Sequence, residues 1–559
     1  MVWPLLERMN VANVIDRHLP KDPQAQFSHG MILSLLIAAR LYSPVALCNV
    51  AAWAEQSGAD ILWGMPIEKM NDDRFGRSLD AFFTQRHSIL ASVALHVAQQ
   101  FHVNLEQLHY DPTHILFHGK YVTSQPRGKS GHGTGQVRSD ADLPPAHITT
   151  GRRMSDAPPS VKMIHGGLCV AVDQWGGLPI FGHTISGNEN GHTAIDEQFG
   201  LVLKYLRPKR LMMISDRGTF SAGHLARLEA EGFHALCSAP WMDFQALFDA
   251  NHAKLQWKKA SYLSIEQRRR REQNSSLGQE HYELSVLRHT LSDRDSGREI
   301  SCRVIFVFST ADQKVARAAR QKAVAQIEQG LEKLAHSVAR GRRNTDPTSI
   351  ARRVSKLFGK KSAAAYFQYQ MVPLSDQERE ALPAPQRGCQ RAKYCLEYRY
   401  DARAQERDEV YDGRSVLVTT APRQQNADCL FTKFKEQNHS ELANHQWKTP
   451  LAVHPVFLQS PRRVEALVFL MMIALTTYYL LQRIYRQSVP PDATGKQRRT
   501  TAETILRTFS TYTLIIQKTR LGRIVHPTRL TRQQRDMLGL LGFHTPAQIL
   551  SRKLPRLPP

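Results

Sequence analysis

Apolar residues recur at helical spacing through residues 31–39, 79–83 and 87–101, so residues 1–104 predict a compact helical N-terminal domain. The register then changes. Residues 107–118 (QLHYDPTHILFH) are aromatic and branched, which predicts a strand that enters at Leu108 and carries Asp111. Between 121 and 161 Gly, Ser, Pro and Arg accumulate without periodicity, the composition of an exposed loop. Residues 167–172 and 178–185 flank a Gly176-Gly177 turn and predict a β-hairpin. An amphipathic helix is expected over 193–206, a buried-type strand over 210–215 (RLMMIS) ending at Asp216, a helix over 220–232 closed by glycine, and a short strand over 234–238.

Three strands, then helix, strand, helix and strand, is the order of a ribonuclease-H-like fold. The fold class expected is therefore α/β (α+β mixed), with that core interrupted by a large insertion. Residues 105–240 form the first part of the core. Residues 241–413 form a partly β insertion domain, with β-like segments at 282–288, 300–308, 366–372 and 394–400 and a basic helix from 312 to about 340 that Asp312 is placed to cap. Residues 414–486 return to apolar character and hold the helix around Glu441. Residues 487–559 are a basic helical C-terminal tail, with a pair of short helices over 531–550.

Composition narrows the partner. An apolar fraction of 42% with 8% aromatics is that of a folded protein. Lys and Arg number 74 against 50 Asp and Glu, a formal charge of +24 with a pI near 9.9, which suits a polyanion such as nucleic acid or an anionic membrane surface. The cysteines (Cys48, Cys169, Cys237, Cys302, Cys389, Cys395, Cys429) are scattered and never form a CxxC pair, which argues against a zinc site or disulfide framework. With no signal-peptide pattern at the N-terminus, a reducing cytosol fits best. Residues 464–481 (VEALVFLMMIALTTYYLL) approach the length of a membrane span and are flanked by Arg462, Arg463, Arg483 and Arg486. Glu465 inside the run favours a buried core helix, and so no membrane partner.

Phosphodiester chemistry uses two divalent ions roughly 4 Å apart, one to activate the nucleophile and one to stabilise the leaving oxygen. Carboxylates are hard oxygen ligands suited to magnesium. Asp111 (in HYDPT) and Asp216 (in ISDRG) stand where a strand ends, and they lie side by side if those strands are neighbours; a strand-terminal Asp equally serves as a turn residue. The third carboxylate sits in the pattern Phe434-x2-Gln437-x3-Glu441-x6-Lys448. At 100° per residue these four positions fall within about 60° of one helix face, which joins a metal carboxylate to a phosphate-binding lysine. The same segment also has the aspect of a solvated polar helix.

These residues, in the order HYD, ISDRG, long insertion, then a helix with Glu441 and Lys448, resemble the insertion-sequence DDE transposases, specifically the insertion-sequence-four-like branch with a Tyr-x2-Arg-x3-Glu-x6-Lys signature. YDGRSVLVTT (411–420), GNENGHT (187–193) and HPVFLQSPRRVEALVFLMMIAL (454–475) add to the likeness, which covers nearly the whole chain. The signature's Tyr is Phe434 here and its Arg is Gln437, so a hydroxyl and a charge expected near transposon-end phosphates are absent.

The resemblance implies a catalytic and metal-binding triad of Asp111, Asp216 and Glu441 holding two Mg2+ ions, with Mn2+ able to substitute. It implies DNA contacts at Lys448, Gln437, Phe434 and Arg217, and double-stranded DNA (transposon ends and target) as partner. It further implies a homodimer on DNA and a bacterial cytoplasmic, nucleoid-associated location. The expected reaction is DNA cleavage followed by strand transfer, and basic stretches at 268–271, 314–343 and 496–556 are candidate phosphate contacts. A ribonuclease-H-like nuclease without strand transfer, an inactive DNA-binding relative and a membrane-associated protein built on 464–481 remain as alternatives.

Overall fold

In the computed structural model, which describes every residue except 43–44, 118–143, 151–160, 190, 265–266, 269–279, 342–345, 383, 386–389, 449–457, 494, 521 and 554–559, the chain groups into two units. The first comprises Met1–Ala239, Arg288–Arg303 and Val418–Pro559, the second Pro240–Leu287 and Val304–Leu417. Most of the loop expected over 121–161 and most of the basic run at 268–271 lie outside the described residues.

The first unit is organised by a mixed sheet. Strand β1 (Gln107–Phe117) pairs antiparallel with β2 (Lys162–Asp173), and β2 pairs antiparallel with β3 (Gly176–Ile185). On its other side β1 runs parallel to β4 (Met212–Ser215), which runs parallel to β5 (His234–Ala239). The hairpin turn lies at 174–175 rather than at Gly176-Gly177. Asp173 Oδ1 accepts from the Trp175 amide at 2.9 Å to close it, and Gly176, at φ +117°, supplies the backbone that opens β3. All four residues of β4 are buried, which is why this strand is apolar throughout instead of alternating. A helix at Gly191–Leu201 continues through a π-helical turn at Val202–Leu206, and Ala222–Ala230 follows β4 with the Ser221 hydroxyl capping it at the His224 amide.

The helix Pro461–Ser488 is buried on every face from Val464 to Tyr485, as a helix apolar all round must be. It is the one helix among the described residues long and apolar enough to cross a membrane, and its apolar window is wholly buried inside the protein. The arginines that flank it have protein partners. Arg463 makes a forked pair with Asp80 at 3.0 and 2.7 Å, Arg483 pairs with Asp173 in the hairpin turn, and Arg486 Nη1 donates to the Trp175 carbonyl at 3.0 Å. Glu465 accepts from Arg86 Nε at 3.0 Å, Thr184 Oγ1 at 2.8 Å and the Ala146 amide at 2.6 Å. Helices His29–Tyr42, Asp72–Phe83 and Arg86–Gln100 pack on the same helix, so residues from both ends of the chain build one core. At Gly182 of β3 a Cβ would stand 2.9 Å from Met472 Sδ, so glycine lets this helix approach the strand.

The C-terminal region departs from the expected helical tail. Between helices Ala502–Thr508 and Arg532–Leu541 the chain forms a hairpin, Leu514–Thr519 with Gly522–Pro527, before a last helix at Pro546–Lys553. Branched residues at 515–516 and 524–525 supply the strand propensity, which the density of basic residues masks in a pattern read by charge. In the second unit, helices Thr310–Ala339 and Pro347–Phe358 enclose a core of Ile327, Leu331, Leu334, Ile350 and Val354 beside the antiparallel pair Phe367–Pro373 and Tyr394–Tyr400. The long helix is capped by Ser309, whose hydroxyl accepts from the Asp312 amide at 3.2 Å; Asp312 supplies the backbone donor and not the cap.

Candidate active site

Register brings the first two carboxylates together. Tyr110 of β1 is the neighbour of Ser215 at the end of parallel β4, so Asp111 and Asp216 follow next in register where β4 ends; Asp111 does not end its own strand, as expected from HYDPT, because β1 stays paired with β2 as far as Phe117. In sheets with parallel strands, ligands are bound at such carboxyl ends. Asp216 caps the tight turn Arg217–Thr219, with its carbonyl accepting from Thr219 Oγ1 at 2.7 Å, and Ser238 Oγ of β5 donates to its Oδ1 at 2.8 Å. Arg217, next in the chain, is exposed.

The third carboxylate arrives on the helix Asn438–Lys448, which β1 holds in place. Gln437, just before it, is 7% exposed. Its amide nitrogen donates to the Tyr110 carbonyl at 3.1 Å and its oxygen meets His109 Nδ1 at 3.0 Å. Burial pushes the His109 imidazole down to about 4, which keeps it neutral in that contact. One helical turn beyond Glu441, Asn444 Nδ2 donates both to the Asp111 carbonyl at 3.2 Å and to its Oδ2 at 2.8 Å.

The three carboxylates sense one another's charge. The Asp111 carboxyl is pushed up to about 6, chiefly by burial and further by the negative charges of Glu441 and Asp216, while the Asn444 hydrogen bond and the Lys448 ammonium act in the opposite direction. Among the described residues no three His, Cys, Asp or Glu side chains are gathered tightly enough to hold an ion as they stand.

Phe434, Gln437, Glu441 and Lys448 do not share one helix face. The helix Ala427–Lys435 ends with the Glu436 amide bonded back to the Thr432 and Lys433 carbonyls, and a new helix begins at Asn438. Glu441, Asn444 and Lys448 lie on the second helix, Phe434 on the first, and the Gln437 side chain is spent on β1. Sequence reasoning passed over Asn444 and Ser238. Helical spacing from Glu441 signals the first; nothing local signals the second, which comes from another strand.

Close packing seats the Glu441 helix. Trp447 is fully buried, and a Cβ on Gly166 of β2 would stand 2.6 Å from its ring; one on Gly167 would stand 2.5 Å from the Tyr110 hydroxyl. Gly166→Ala must therefore displace the indole, with an expected loss of about 1–3 kcal/mol. Urea unfolding measures it, and an unchanged midpoint would contradict this packing.

Among comparisons with known proteins, residues 1–95 match the model of DUF4277, a domain of unknown function. The match ends before β1 and includes none of the three carboxylates. No curated protein matches the chain.

Proposed function

We propose that this protein is a DDE transposase, a metal-dependent enzyme that cuts DNA at the ends of a mobile element and joins the freed ends to target DNA. The observation that carries the reading is the register that sets Asp111, within β1, beside the end of parallel β4 where Asp216 follows, with Glu441 near enough to raise the Asp111 carboxyl. Support comes also from the strand arrangement, three antiparallel strands followed by two parallel ones, which a ribonuclease-H-like core requires. The domain matched at the N-terminus is found in transposase-like proteins.

The donor set fits divalent magnesium or manganese: three carboxylates, no soft ligand, two of them exposed and one half-buried. Asp111, Asp216 and Glu441 would hold the ions, which when bound activate a nucleophilic oxygen and stabilise the leaving one. The chain's own groups have separable tasks. Asn444 holds one Asp111 oxygen and Ser238 one Asp216 oxygen, so each carboxylate keeps its second oxygen for the site. Lys448 supplies a phosphate-neutralising charge on the Glu441 helix. Water attack on the phosphorus at an element end forms one P–O bond as the bond to the 3′-oxygen breaks and releases a 3′-hydroxyl; that hydroxyl then attacks a target phosphodiester and expels the target strand's own 3′-oxygen, which takes up a proton, so no covalent enzyme intermediate is needed.

A supercoiled plasmid carrying the DNA that flanks the coding sequence, incubated with the protein and Mg2+, tests this reading. Strand cuts at repeat termini and joined products support it. Cuts without joining would make the protein a nuclease, and binding without cuts an inactive relative. Because burial pushes the folded Asp111 carboxyl up to about 6, above the usual range of an aspartate, it must lose a proton before accepting a cation. Cleavage is expected to rise roughly tenfold per pH unit below about 6 and to level off above about 7. The metal-free fold has the opposite preference: the native carboxyl takes up its proton before the unfolded one, so stability rises as pH falls from 7 to 5. Initial rates and urea midpoints across that range check both signs.

A further inference from the structure

In the second unit, the helix Thr310–Ala339 buries Ile327, Leu331, Leu334 and Val338, all in its C-terminal half. Along its N-terminal half, Lys314, Arg317, Ala318, Gln321, Lys322 and Ala325 follow the spacing of a single helix face, and all six are exposed. Three are cations and none is acidic. The helix dipole places partial positive charge at this end, so cations there oppose the backbone's own field. No ion pair among the described residues engages Lys314, Arg317 or Lys322, whereas Arg320, turned away from this face, is paired with Asp412 and the Tyr366 hydroxyl. The same face turns acidic beyond Ala325, at exposed Glu328 and Glu332, which gives the cationic stretch a defined end.

A stripe of uncompensated cations set against the dipole calls for an external anion, and a repeating one suits its length. From Lys314 to Lys322 the helix rises about 12 Å, over which a DNA duplex presents roughly seven phosphates. The intervening alanines leave room for a backbone to approach. We propose that the Lys314/Arg317/Lys322 face is a binding surface for the phosphate backbone of double-stranded DNA. The proposal rests on the reading that DNA is the substrate, and it assigns to this helix the positioning of the duplex without base recognition.

The test uses the full chain and a random-sequence duplex of about 30 base pairs, with binding followed by fluorescence anisotropy from roughly 50 to 200 mM salt. Losing three phosphate contacts in the triple variant K314Q/R317Q/K322Q should flatten the slope of log affinity against log salt by about 2.7 and weaken low-salt binding by about 10- to 100-fold. Lys356→Gln, an exposed cation on the separate helix Pro347–Phe358, should leave the slope as in the parent protein, and matching thermal unfolding curves show that the variants fold. If the parent protein binds and cuts DNA while the triple variant keeps its salt slope, this surface is wrong and the transposase reading stands. If the slope falls but the parent protein never cuts DNA, the surface stands and the catalytic reading fails. No duplex binding by the parent protein overturns both.

Discussion

Asp216→Asn and Glu441→Gln should each lower the proposed metal-dependent strand cleavage by about a thousandfold or more while DNA binding persists. The expected size follows from what is removed: a charged ligand that helps stabilise the transition state by several kcal/mol, where each 1.36 kcal/mol is tenfold in rate. Asp111→Asn should lose activity to the same degree and yet leave the fold as stable as before or more so. Its carboxylate is desolvated and faces two like charges, so neutralising it relieves a cost, and the asparagine oxygen still accepts from Asn444. Cleavage assays beside urea melts of the three variants decide the matter. Cutting by any of them at parental rates, or a large stability loss in Asp111→Asn, would refute the assignment.

Glu465→Ala should cost about 3–5 kcal/mol of stability, the largest such effect expected from one substitution here. Arg86 and Glu465 are 0% and 1% exposed and 3.0 Å apart, and the carboxylate also accepts from Thr184 and from the Ala146 amide. Truncation leaves a buried guanidinium facing a cavity and strands two further donors. Glu465→Gln keeps one acceptor and most of the volume, so it should fall between Ala and the parent protein. Denaturant midpoints give the ranking, and a loss below about 1 kcal/mol for the alanine variant would show that Arg86 has other adequate compensation.

Much of the sheet was legible in the residues. Short aromatic or branched runs located β1, β4 and β5, and the glycine-flanked alternation located the β2–β3 hairpin, although its turn moved to 174–175 because the Asp173 side chain closes the turn there. The apolar run at 464–481 was correctly a core helix, for which Glu465 was the clue. Less was legible wherever tertiary partners override local preference. A straight helical projection joined Phe434 to Lys448, but the chain breaks between them once Gln437 engages β1. The C-terminal hairpin was hidden by the basic residues around it.

Local pattern alone determined most strands and helices of the first sheet, that Asp216 would follow the end of a buried strand and Asp111 lie on one, and that the chain's excess charge is positive, since backbone propensity and solvation act over a few residues. Tertiary structure alone decided that Asn444 meets Asp111 across 333 residues and that Arg86 meets Glu465 across 379. It likewise decided that the arginines around the apolar helix bind Asp80, Asp173 and Trp175. A hydrogen-bond partner is specified by position in space, and no spacing along the chain encodes a contact closed by the packing of distant elements.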